Sequence, residues 1–176
     1  VDGEGSRRTQ ESTVARLLQP ETTKEDVLEN FASLTLGSGG AAMVLGRAST
    51  HPEGHRFVGG VGRAATAHNK LCVGDLDGMR TDARGLLEAG VELAMDTWRD
   101  SAEVFDWTDL DAYVIHQVSK VHTAAITSAL GIDPARTRVI CPTRGNIGPA
   151  SLPFTLAQHA SSFEAGNRIA CMGIGS

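Results

Sequence analysis

The chain of 176 residues, 41% hydrophobic and 21% charged, is long enough for one domain with a substantial core. Its 16 basic and 21 acidic side chains give a net charge of −5, which argues against general nucleic-acid binding. No apolar run reaches membrane-spanning length, no secretory signal opens the chain, and three unspaced cysteines suit reduced thiols, so a cytoplasmic protein without membrane insertion is expected.

In chain order, TQESTVARLLQ (9–19) predicts a short amphipathic helix stopped by Pro20, which has no N–H to continue it. TTKEDVLENF (22–31) predicts a second, capped by Thr22 or Thr23 with acids in its first turn. In FASLTLGSGGAAMVLGR (31–47) two β-leaning stretches flank GSGG, which reads as a hairpin or as a close backbone approach. HRFVGGVGRAAT (55–66) is a glycine-rich strand candidate, and 67–82 reads as a long polar loop.

From Ala83 the pattern becomes regular. ARGLLEAGVELAMDTWRD places Leu87, Val91, Ala94, Met95 and Trp98 at helical spacing. A buried strand over 111–117 precedes a helix over 119–131 with Val121, Ala125 and Ala129 on one face and Gly131 at its end. TRVICPT (137–143) predicts a strand, ASLPFTLAQHASSF (150–163) a helix and NRIACMGIG (167–175) a last strand. This alternation defines an α/β fold, helix–sheet–helix in layers, with a mixed, largely parallel sheet. An internal boundary falls near 47–55. The chain opens without an initiator methionine and ends on the apolar CMGIGS, which reads as a piece of something longer.

Parallel sheets place their chemistry at the carboxyl ends of the strands. His116 stands at one such end, where imidazole can act as acid, base or hydrogen-bond donor. TRGNIGPAS stands at the next, and Asn146 there either shapes a turn or donates a hydrogen bond to a carbonyl oxygen or enolate. Alone, each residue reads as structural. A right-handed crossover brings the two strand ends together. CMGIGS, at a third strand end, would let a backbone N–H approach a ligand. No metal site is expected, because HPEGH (51–55) cannot form a helical ligand pair and no zinc spacing is met. DLDG (75–78) echoes the start of a calcium loop without its later ligands.

SLTLGSGGAAMVLGR, DLDAYVIHQVSKVH, RGNIGPASLP and CMGIGS together resemble the β-ketoacyl-acyl-carrier-protein synthase III branch of the thiolase superfamily, in its C-terminal part. They look like its FGDGAGA-type segment, its strand bearing HQ, its GN-x-x-x-AS turn and the start of its glycine-rich C-terminal loop. The resemblance implies a thiolase-like fold, with residues 1–47 ending the first half of the family's architecture and 48–176 forming the second. It implies a condensing enzyme, a transferase joining two acyl thioesters by a Claisen-type reaction. Enzymes that condense two long-chain acyl thioesters head to head look nearest.

Carried over by motif, His116 and Asn146 are the pair that stabilises the enolate, and a backbone N–H near Ser176 completes an oxyanion hole. The substrates implied are acyl-CoA or acyl-carrier-protein thioesters, with no further cofactor. The sequence departs from the family at Ser119, where an Asn is common, and at Val121, where a basic residue is common. Lys120 is then the candidate anchor for carrier protein or coenzyme A phosphates. The family's nucleophilic cysteine belongs to the N-terminal half, and no cysteine here stands at an elbow before a helix. The expected partners are therefore a missing N-terminal half bearing that cysteine and, once complete, a second copy in a homodimer. A non-catalytic scaffold or partner subunit is the alternative.

Overall fold

The computed structural model describes residues 1–75, 77–107 and 109–175. Strand β1 (Asp2–Glu4) leads into helix α1 (Arg7–Leu17), and helix α2 (Lys24–Thr35) follows after Pro20. Thr23 is the cap of α2: its hydroxyl accepts the Asp26 N–H at 3.1 Å while the Asp26 carboxylate accepts the Thr23 N–H at 2.8 Å. The helix runs past Phe31 and absorbs FASLT, which the sequence made β-leaning. Ser33 explains why. It is buried, and its hydroxyl exchanges hydrogen bonds with the Met79 N–H and carbonyl, so tertiary contact outweighs local preference.

Strand β2 (Gly39–Ala41) does not turn back on itself as a hairpin. It pairs antiparallel with β1, Glu4 opposite Gly39 and Asp2 opposite Ala41. Of the two readings of GSGG, close approach is the one found, since a Cβ on Gly37 would lie 1.8 Å from the Arg144 carbonyl oxygen. The expected strand over 55–66 is absent: residues 42–65 contain neither helix nor strand, and Phe57 and Val58 are exposed. Three glycines weaken that segment, and no sheet edge receives it. The expected loop at 67–82 instead contains a hairpin of β3 (Cys72–Gly74) and β4 (Met79–Thr81). In its turn the Asp75 carboxylate accepts the N–H groups of Asp77 and Gly78, so DLDG is turn chemistry.

Helix α3 (Ala83–Phe105) is capped by Asp82, whose carboxylate accepts the Gly85 N–H, and stops at Asp106 with φ 49°. Met95, expected inside, is on its exposed side. Strand β5 (Ala112–Ile115) is buried throughout, and helix α4 (Lys120–Ala129) stops before Gly131 at φ 65°. The packed side of α4 centres on Thr127, whereas Val121 faces out, contrary to the expected face. Strand β6 comprises Thr137–Arg138 alone; residues 141–143, expected to end the strand, belong to the one-turn helix α5 (Cys141–Arg144). Pro142 accounts for the difference, because it has no N–H to give a ladder and is at home in a first helical turn.

A 3₁₀ turn over Gly148–Ala150 runs into helix α6 (Ser151–Gln158), and β7 (Ile169–Met172) closes the sheet. The sheet is wholly parallel, in the order β6-β5-β7, and the two antiparallel ladders lie outside it. Tyr113, Ile115 and Ala170 pack with Leu110 and Ile132 beneath Trp98 and Trp107, whose rings are tilted 56° to each other with centroids 5.1 Å apart. A second cluster, Ile140, Ile147 and Ala150 with Ala41 and Phe154, joins β2 to the turn that carries Asn146. No described helix is long and apolar enough to cross a membrane.

Candidate active site

Burial of all four residues of β5 leaves its carboxyl end as a fixed platform, and His116 is the next residue. The His116 N–H donates to the Met172 carbonyl at 2.8 Å, extending the ladder by one rung and anchoring its backbone to β7. Its half-buried ring makes a hydrogen bond with the Gly148 backbone that favours the charged ring, so the ring donates and the carbonyl accepts. Desolvation is the larger effect and holds the imidazole pKa below its ordinary value, helped by nearby His122. Near neutral pH the ring is neutral. With one N–H committed to Gly148, its other nitrogen carries a lone pair.

Asn146 is held by different means. Its N–H donates to the Thr35 carbonyl at 3.0 Å, and its carbonyl accepts the Gly37 N–H at 2.7 Å. These two bonds form a parallel bridge with Leu36, outside every named strand. The side-chain Oδ1 accepts the Gly148 N–H at 3.0 Å, which orients the amide. Among the described residues its NH₂ group has no acceptor, and so both protons are available to a ligand. His116 and Asn146 therefore converge on one residue: the imidazole on the Gly148 carbonyl, the amide on the Gly148 N–H. Gly148 adopts φ 54°, so its conformation requires glycine, and a Cβ there would lie 2.5 Å from a Glu4 carboxylate oxygen and push that side chain aside.

Lys120 opens α4 and is exposed on the rim of a groove of about 510 Å³ that also reaches Thr127, Thr137, Val139 and Cys141. Burial pushes the Cys141 thiol up despite the Lys120 charge, and partial desolvation does the same to Cys171, a residue otherwise exposed at the surface. Neither has the depressed pKa of an activated nucleophile. Cys141 does begin a helix, although its sequence reads as strand interior. Ser176, the expected oxyanion position, lies outside the described residues.

Three participants escaped sequence reading as parts of the site. Gly148 was legible as a glycine but not as the site's joint, and Gly37 as a candidate for close approach but not as the residue that meets the Asn146 turn. Gln117 was quoted only as half of HQ. Its amide is 1% exposed; Oε1 accepts the N–H groups of Ile140 and Cys141 at 2.8 and 2.9 Å, and Nε2 donates to the Arg138 carbonyl at 3.0 Å. The available signal was an amide closing a wholly apolar strand, which must find partners if it is buried. Next to the site, Ser119 caps α4 by accepting the His122 N–H, and its hydroxyl also meets His122 Nδ1 at 3.0 Å.

Residues 101–176, which contain His116 and Asn146, match the family described as 3-oxoacyl-[acyl-carrier-protein (ACP)] synthase III C terminal. The fold is thiolase-like, and through this match the chain resembles the C-terminal part of the synthase III proteins. Over its full length it is 46% identical to the acyl-CoA:acyl-CoA alkyltransferase of Xanthomonas campestris, of which it covers 53%. It is 32% identical to the acyl-CoA:acyl-CoA alkyltransferase of Shewanella oneidensis, covering 55% of that protein. Cerulenin-bound OleA from Xanthomonas campestris superposes with a TM-score of 0.97 at 46% identity, over 99% of this chain and 52% of OleA. A cysteine-to-serine variant of the same OleA, solved with bound lauric acid and lauroyl-CoA, superposes with a TM-score of 0.96. The chain spans about half the length of the curated relatives it matches.

Proposed function

We propose that the chain supplies the enolate-forming half of a Claisen-type condensing enzyme acting on two acyl thioesters. The single observation that carries this reading is the convergence of His116 and Asn146 on Gly148, which leaves a ring nitrogen lone pair and an amide NH₂ uncommitted. In the reaction, the His116 lone pair takes a proton from the α-carbon of one acyl thioester. The electron pair moves onto the thioester oxygen, where the Asn146 NH₂ donates to it as charge develops. The carbanion then attacks a second acyl group, held as a thioester on a cysteine supplied by the N-terminal half. The new carbon–carbon bond forms and the cysteine thiolate leaves. Residues 1–47 end that first half and 48–176 form the second.

The names of the relatives favour acyl-CoA for both substrates over acyl-carrier protein, and Lys120 at the mouth of α4 is suited to a phosphate group of coenzyme A. The test uses the full-length protein with long-chain acyl-CoA, following acyl-enzyme formation by mass spectrometry and condensation by thiol release. His116→Ala and Asn146→Ala are each expected to lower condensation about 100- to 1,000-fold while leaving self-acylation intact. Normal condensation by both variants would remove the assignment.

A further inference from the structure

We infer that Gln117 is a positioning residue for the His116–Asn146 pair, a buried amide that substitutes for strand β6 where that strand stops and so fixes where Asn146 stands. The inference rests on reading His116 and Asn146 as a condensing pair. Strand β6 ends at Arg138, and the chain must leave the sheet within three residues to begin α5 at Cys141. Ile140 is buried, so the backbone groups freed at this exit are not all satisfied by water. Gln117 takes their place: its oxygen accepts two N–H groups, from Ile140 and Cys141, and its nitrogen donates to the Arg138 carbonyl and, more weakly at 3.4 Å, to that of Ile115. Every hydrogen-bonding position of the amide is filled.

The consequence for the site follows from chain continuity. Helix α5 closes with the Gly145 N–H donating to the Cys141 carbonyl, and Asn146 is the next residue. Gln117 is covalently next to His116. The amide thus grips the root of the Asn146 turn from the strand end that carries His116. Without it, three backbone groups lose their partners at the exit from β6, and the turn is free to shift relative to the imidazole. Misplacement of catalytic groups by about 1 Å costs on the order of 100-fold in rate.

Two variants of the full-length protein test this, each measured for self-acylation and condensation below its melting temperature. Gln117→Met keeps length and volume and removes the hydrogen bonds. It is expected to reduce condensation about 100-fold with self-acylation within about twofold of wild type. Gln117→Glu keeps the shape; protonated, its carboxyl can accept from the N–H groups and donate to Arg138, while ionised it cannot donate. Burial raises a carboxyl pKa. The ratio of its condensation rate to wild type is therefore expected to be near one at the acid end and to fall as pH rises, and this holds as a test if Gln117→Met fails to fold. Unchanged condensation in Gln117→Met, a parallel loss of both steps, or a pH-independent ratio in Gln117→Glu would each overturn the inference. His116→Ala in the same assay separates the two ideas. If it condenses normally, the reading of the site falls and this inference with it. If it fails to condense while Gln117→Met does not, only the role of Gln117 falls.

Discussion

The two members of the pair are secured by opposite strategies. His116 is the continuation of a strand that is buried along its length, and neighbours on a parallel sheet fix its backbone. Asn146 belongs to no strand or helix; it is reached from far away, by Thr35 and Gly37 on one side and through α5 on the other. The difference teaches that one half of the site comes with the fold, whereas the other depends on a few long-range tethers. Damage to the tethers should therefore silence Asn146 while leaving His116 in place.

Gly37→Ala should break the comparison most severely. Its methyl group would stand 1.8 Å from the Arg144 carbonyl oxygen and 2.9 Å from the Ile147 side chain, so the Leu36–Asn146 bridge must open. A loss of about 3 kcal/mol in urea denaturation is expected, the upper end of overpacking costs. His116 should keep its native NMR environment toward Met172. Gly148→Ala strikes the point shared by both halves. Imposing the left-handed conformation on alanine costs about 1–2 kcal/mol, and condensation should fall for both reasons at once. The Glu4 side chain can swing away, which makes this the milder of the two.

Acid sharpens the contrast more gently. His116 and His122 both have folded pKa values lowered by burial from about 6.5. The unfolded chain then binds protons first, so stability is fully present above the unfolded value and is lost as pH falls through the lowered folded values. Melting temperature should drop as pH falls from neutrality through 6.5 and below. Replacing His122 with Gln should flatten part of that slope without touching the Asn146 tethers. The condensation rate should show an acid limb below 6.5, because His116 must be neutral to take a proton.

The regular part of the fold was legible because its periodicities are strong. AYVI followed by a capped helix and Gly131 could hardly be read otherwise, and it put His116 at a strand end; Asn146, expected at the next strand end, follows the one-turn helix α5 instead. What failed was local preference overruled from a distance. FASLT became helix because Ser33 finds Met79, 46 positions away. CPT became helix because Pro142 cannot give a ladder N–H and because Gln117, 24 positions before Cys141, takes up the N–H groups of Ile140 and Cys141. The segment at 55–66 offered strand-like residues but found no strand to pair with. Pattern reports what a segment can do alone; these outcomes were decided by partners that no window of neighbouring residues contains.

Gly148 serves the site much as a shared datum serves a measuring instrument. Both side chains are referred to the same Cα, one through its N–H and the other through its carbonyl. When the turn drifts, Gly148 moves with it while the His116 backbone stays on its strand, so the gap between the two working groups is set by where this one residue stands. Moving this chemistry to another scaffold would therefore mean reproducing one glycine and its dihedral angles before any of the surrounding loop.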